Sequence, residues 1–165
     1  DIIPEFNLYE EFWKIYTKSD AVPPLFVSAD GFIERSIVSG NSTIEGTVIN
    51  SVLGAGVTVG KGAVVRDSII MKNTMIGAGT TVDKAIIAED VVIGENCILG
   101  VGEDIPNKEN PKVYSFGLVT IGENTVVPAG VQIGLNTAVS GVTDSSDYPD
   151  GVLASGETLI KAGER

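Results

Sequence analysis

Histidine is missing altogether from this chain of 165 residues. Its absence removes the commonest general base and the commonest neutral metal ligand together. Cys97 is the single cysteine, which excludes an internal disulfide framework and suits a reducing compartment. Aromatic residues make up only 6% of the chain against 43% apolar residues overall, so any core must be aliphatic. Basic residues are scarce as well: 11 Lys and Arg stand against 22 Asp and Glu, a net charge of −11. Nucleic acids and anionic membranes are bound through basic clusters, so neither is an expected partner. The acidic residues are dispersed and read as solubilising. No apolar run approaches the ~20 residues of a membrane-spanning helix, and the first residues carry no signal-peptide pattern, so a cytoplasmic location is expected. Nucleophile elbows of the Gly-x-Ser-x-Gly kind and Cys-x-x-Cys pairs are absent. The Gly60, Lys61 pair has Ala55 where a phosphate-binding loop needs its first glycine and Gly62 where it needs Ser or Thr, so that loop is excluded too.

What the chain does contain is an internal repeat. TVINSVLGAGVTVGKGA, VVRDSIIMKNTMIGAGT and TVDKAIIAEDVVIGENC follow one another from Thr47 to Cys97, at a spacing of 17 residues. Columns agree in kind, as in Gly60, Gly77 and Gly94, and repeats of this sort outrank local signals. Branched aliphatics recur within it in steps of five or six: Val48, Leu53, Val59, Val65, Ile70, Ile76, Val82, Ile87, Ile93 and Leu99. The step returns further on with Ile121, Val127, Ile133 and Val139. An α-helical stripe would recur at three and four. Steps of six suit short strands separated by turns, each strand sending one aliphatic inward and the next rung repeating it ~4.8 Å away. The predicted fold is therefore all-β, a triangular parallel β-solenoid of about six coils and ~30 Å length. Gly60, Gly77 and Gly94 follow inward residues, where a corner needs either positive φ or no Cβ. Cys97 shares a column with Ala63 and Thr80 and reads as a small corner filler, not a reactive thiol.

Residues 1–24 stand outside the repeat and form an expected N-terminal helical segment and linker. Asn7 and Glu10 resemble a capping box, Leu8, Phe12, Ile15 and Tyr16 then share a face, and Pro23 and Pro24 end the segment. Such a helix either caps the solenoid or belongs to an interface. The solenoid itself is assigned to 25–142. Its first part is compressed, because FIERSIV aligns with VVRDSII while the coil holding Ile44 and Gly46 is two residues short. Phase is lost after Leu99, and 101–117, with Pro106 and Pro111, reads as a loop thrown out of the solenoid. Loops on rigid scaffolds are where binding concentrates. The tail, 143–165, is expected to close the last rung as a hairpin. Asp144, Asp147 and Asp150 match no calcium loop, so no metal site is assigned there.

The hexapeptide step resembles the left-handed parallel β-helix of the hexapeptide-repeat transferases. The left hand is implied by that resemblance alone, since parallel crossovers are generally right-handed. Most such transferases are acyltransferases with an interfacial histidine base, which this chain lacks. A fuller resemblance covers Ala21 to Arg165. The run IERSIVSGNSTIEGTVINSVLGAGVTVGKGAVVRDSIIM, the NKENPK loop and the PDGVLASGETLIKAGE ending resemble the C-terminal β-helix domain of bacterial glucose-1-phosphate adenylyltransferase. That family forms ADP-glucose for glycogen biosynthesis, and the tail is more similar to its regulatory-type subunit. The resemblance implies that catalysis belongs to an N-terminal α/β domain with a G-x-G-T-R-L loop, magnesium-binding carboxylates and a sugar-phosphate lysine. None of these motifs is present, so no catalytic, cofactor or metal residue is carried over. It implies as partners a catalytic domain of the same chain or a catalytic subunit, in a homo- or hetero-oligomer, and an anionic sugar-phosphate effector between domains. Anions need cations, which makes Lys108 and Lys112 the candidate effector contacts. A free-standing transferase using a carboxylate or cysteine is the other reading.

Overall fold

Strands in this chain are only two to four residues long, because every fifth or sixth residue must enter the core and the backbone turns a corner between one such residue and the next. The computed structural model describes Phe12 and residues 21–161. Within that span the strands stack into three parallel sheets, visited in turn as the chain winds. Face 1 has six strands, from Phe26–Val27 to Val126–Val127; face 2 has seven, from Phe32–Glu34 to Val152–Leu153; face 3 has seven, from Ile37–Val38 to Thr158–Ile160.

The register follows the repeat. Ile76 lies opposite Val59 on one side and Ile93 on the other, Val65 between Val48 and Val82, and Ile70 between Leu53 and Ile87. The short first coil is accommodated without loss of register, since Ile44 pairs with Val59. Leu99, Ile121, Val127, Ile133 and Val139 continue the three ladders, and every aliphatic named in the step is at most 2% exposed. Each such side chain contributes about 1.5–3 kcal/mol by burial. The fold is the expected β-solenoid.

Corners are filled by small or hydroxylated side chains that link one coil to the next. Ser36, Ser51 and Ser68 form a hydroxyl ladder: each Oγ donates to the carbonyl two residues back and accepts the next coil's amide, from Ser51, Ser68 and Ala85 in turn. Thr80 Oγ1 donates to Gly94 at 2.7 Å and accepts the Cys97 amide at 3.0 Å. Among the described residues no buried side-chain polar atom lacks a partner, as a stack of buried corners requires.

One expectation is resolved between its two alternatives and another is corrected. Gly60, Gly77 and Gly94 are not the left-handed positions; those are Gly62, Gly79 and Asn96, two residues on. What the first three need is the missing Cβ: one added at Gly94 would sit 2.5 Å from the Ala129 amide nitrogen of the next coil. The tail is not a hairpin. Val152–Leu153 and Thr158–Ile160 pair parallel with the preceding rungs and make a seventh turn, one more than the step of six alone revealed. Face 1 of that turn has no strand, only a bridge from Val142 to Val126. Two 3-10 turns, Ser145–Asp147 and Pro149–Gly151, take its place and insert Tyr148, 2% exposed and the one aromatic side chain in the core cluster of the described residues. Its hydroxyl meets Thr143 Oγ1 at 2.8 Å. The expected N-terminal helix lies outside the described residues except for Phe12, which sits in a bend and is exposed.

Candidate functional site

The segment 101–117 leaves the solenoid at the corner between faces 2 and 3, after an irregularity at Gly100 (φ +89°) that shifts the register so that Val101 pairs with Gly134. A left-handed residue turns this corner in earlier coils, namely Arg35, Asn50, Asp67 and Lys84. Instead of continuing to face 3, the chain passes over the last two turns and returns at Val119.

Two buried asparagines hold it there. Asn107, 2% exposed, donates through Nδ2 to the Asn136 carbonyl at 2.9 Å and accepts through Oδ1 from the amides of Glu109 and Asn110 at 3.0 and 2.8 Å. Asn136, 3% exposed, donates to Asp104 Oδ1 at 2.6 Å and to the Ile105 carbonyl at 2.9 Å, and accepts the Gly117 amide at 2.8 Å. The backbone of Lys108 adds a bond to the Gly156 carbonyl at 2.8 Å. Loop and final turn thus form one body. Neither asparagine is signalled by the repeat, although Asn107 opens the NKENPK run.

Lys108 directs its ammonium to Glu157 of the seventh turn. Lys112 is exposed and makes no ion pair among the described residues. Of the two expected anion contacts, one is already engaged, though an exposed pair of this kind is worth only about 0–1 kcal/mol and exchanges readily. Beneath the start of the loop lies an open cleft of about 300 Å³, walled by Val101, Ile105, Val152 and Leu153, with Glu103, Gln132 and Ser155 as its polar members.

The other chemically capable residues are committed elsewhere. Cys97 is fully buried, its Sγ 3.2 Å from the Pro128 carbonyl, and burial pushes the thiol pKa up. That is the behaviour of a corner filler. Asp144 caps the 3-10 turn at Ser145: its Oδ1 accepts from the Ser146 amide at 2.9 Å, and the same carboxylate approaches Lys161 Nζ at 3.2 Å. Bonds from Ser146, then from Lys161, hold its carboxyl down to about 2. Asp147 binds the same ammonium at 2.5 Å. Among the described residues no group of three or more potential ligands could hold a metal ion.

Residues 24–121 match the family described as GlmU-like, C-terminal hexapeptide. The chain belongs to this hexapeptide family. Among curated relatives, the glucose-1-phosphate adenylyltransferase of Lachnospira eligens is 56% identical over 99% of this chain and 39% of its own length. That of Acetivibrio thermocellus is 40% identical over 98% of this chain and 38% of its own. The hexapeptide chain therefore spans about two fifths of the curated relatives it matches. A solved structure, the acetyltransferase domain of PglB from Neisseria gonorrhoeae in complex with acetyl coenzyme A, is 18% identical with a TM-score of 0.44, over 84% of this chain and 55% of that one.

Proposed function

We propose that this chain is the non-catalytic oligomerisation and regulatory part of a glucose-1-phosphate adenylyltransferase subunit. The observation that carries the reading is the match in extent: adenylyltransferases align with 98–99% of this chain, yet it accounts for only 38–39% of them. What the described residues offer is consistent with a support: stacked aliphatics, satisfied corners, and carboxylates paired with lysine. The parent reaction, ATP and glucose 1-phosphate to ADP-glucose and diphosphate, and its magnesium then belong to a region outside the chain. Its setting would be the cytoplasm, and no helix of the described residues is long and apolar enough to cross a membrane.

In this role the solenoid packs on a catalytic domain or subunit and contributes to an effector site. Lys112, exposed on a loop held rigid by Asn107 and Asn136, suits a sugar phosphate, and Lys108 joins it by exchanging Glu157 for the ligand. The test has two parts. The chain alone, given ATP and glucose 1-phosphate, is expected to form no ADP-glucose, and to co-sediment with a catalytic adenylyltransferase subunit. In that assembly, alanine at both Lys108 and Lys112 is expected to shift the activation curve of an anionic sugar phosphate. Acetyl transfer from acetyl-CoA by the isolated chain, with no binding to the subunit, would overturn the proposal in favour of a free-standing transferase.

A further inference from the structure

Where the segment 101–117 parts from the solenoid, it leaves a gap between itself and the last rungs of face 2. Gly100 takes the chain off its regular course, and Gly102 passes so near the seventh turn that a Cβ there would lie 3.0 Å from Ser155 Oγ. The gap is the cleft of about 300 Å³, a size at the lower end of small-molecule sites. Apolar side chains scattered singly over a surface are ordinary. Here Val101, Ile105 and Val152, each 40–44% exposed, meet in one concavity. Around it, the polar side chains that join the loop to the last turns are engaged with one another: Asn107 with Asn136 and Thr158, Asn136 with Asp104, and Lys108 with Glu157. The polar residues of the cleft differ. The side chains of Glu103 and Gln132 make no hydrogen bond or ion pair among the described residues. Ser155 Oγ accepts the Leu135 amide at 3.1 Å, and its own hydrogen is not donated to another described residue. Among the described residues no lysine or arginine lines the cleft.

We infer that this cleft is a binding site for a small organic cation, a molecule that carries one ammonium group on an apolar body. At about 30 Å³ for each non-hydrogen atom, the cleft takes about ten of them. Val101, Ile105 and Val152 remove the apolar body from water, and that burial carries most of the affinity. Glu103 supplies the opposite charge, while the Gln132 carboxamide and the Ser155 hydroxyl offer further hydrogen bonds. Charge decides the sign of the ligand. The chain bears a net −11, so its field draws cations toward the surface and repels anions, and the lining reinforces this with a carboxylate and no base. An exposed ion pair is weak. Glu103 therefore sorts ligands by charge more than it holds them, and a neutral molecule of the same shape binds less tightly but still binds. Lys108 and Lys112, by contrast, suit an anion, so this site stands or falls independently of the proposed function.

Backbone amide NMR of the 165-residue chain, at neutral pH and constant ionic strength, tests it with three probes built on one phenyl ring and a two-carbon chain: 2-phenylethylammonium, 2-phenylethanol and 3-phenylpropionate. The ammonium probe is expected to shift the amides of 101–105, 132–134 and 152–155 saturably, with a dissociation constant of about 1 mM, a value typical of weak complexes. The alcohol should shift the same amides with an affinity up to about fivefold lower, the worth of one exposed ion pair. The carboxylate probe should shift none of them. Glu103→Gln is expected to bring the ammonium probe to the affinity of the alcohol and to leave the alcohol unaffected, whereas Val152→Thr should weaken both alike. Thermal melts verify that each variant folds. No saturable shift below about 20 mM, equal affinity for the ammonium and carboxylate probes, or undiminished ammonium binding by Glu103→Gln would overturn the inference. Shifts spread over the acidic surface, instead of confined to these three segments, would overturn it too, since they would report counter-ions only.

Discussion

At the residue scale, the fold rests on single side chains whose neighbours are copies of themselves one coil away. Ile76 is 1% exposed between Val59 and Ile93, with nothing polar beside it to receive a charge. Ile76→Asp is expected to leave no cooperative melt at neutral pH, because an unpaired carboxylate has no place among aliphatic rungs. The milder Ile76→Ala should cost about 2–5 kcal/mol in chemical denaturation. A melting temperature within a couple of degrees of the parent for the aspartate variant would refute the ladder. Glycines separate two effects that sequence alone had merged. At Gly94 a Cβ meets next-coil backbone, whereas at Gly62, with φ +70°, it meets nothing within 4 Å. Gly62→Ala should therefore cost only the left-handed penalty of about 1–2 kcal/mol, and Gly94→Ala distinctly more. Both fall on the same corner and both are glycine in the sequence, so composition could not tell a dihedral requirement from a steric one.

Elements were legible in proportion to their periodicity. Every rung from Val48 to Leu99 could be placed because each is confirmed by two others at the same spacing. The seventh turn was hidden, because its rungs are spaced irregularly: Leu153 follows its partner Ile133 by 20 residues and Leu159 follows Val139 by 20, where the repeat has 17. The excursion could be located from its two prolines, but its anchoring could not, since Asn107 and Asn136 meet only in three dimensions. Asn107→Ala removes a side chain that satisfies one carbonyl and two amides. A destabilisation of about 1–3 kcal/mol is expected, together with faster proteolytic cleavage within 108–116, read by limited digestion; an unchanged digestion pattern would mean the loop is held by other contacts. The tail carries its own fastening at Lys161. Asp144 is lowered to about 2 from the ordinary carboxylate value, so its contribution to stability is present above an unfolded pKa of about 3.9 and is lost as pH falls through the folded value. Lys161, raised by Asp147 and then Asp144, contributes below its unfolded pKa and ceases to as pH rises through the folded one. Thermal melts of the parent and Asp144→Asn should differ at pH 4 and converge toward pH 2. A difference that persists at pH 2 would show that the carboxylate is not what fastens the tail.

For the whole molecule, stacking makes stability a sum over neighbouring coils rather than a property of one centre. Its ends then matter most, because a terminal rung has one neighbour instead of two and exposes unpaired backbone to any other strand. The C-terminal end is closed by an arrangement unlike the rest. Leu153 lies on Ile133 and Leu159 on Val139, and on face 1, where no strand follows Val126–Val127, Tyr148 fills the space with a ring. Tyr148→Ala opens a hole where, among the described residues, no face 1 strand lies over Val126–Val127, at about 3–5 kcal/mol by analogy with large aromatic deletions. If the coils are coupled only to their neighbours, that loss should remain local. Hydrogen exchange of Tyr148→Ala is expected to accelerate in Val126–Val127, Gln132–Gly134 and the final turn, while the amides around Val59, Ile76 and Ile93 keep their protection. Equal acceleration of every rung would mean instead that the solenoid opens as a single block, and the neighbour-by-neighbour account of its stability would have to be abandoned.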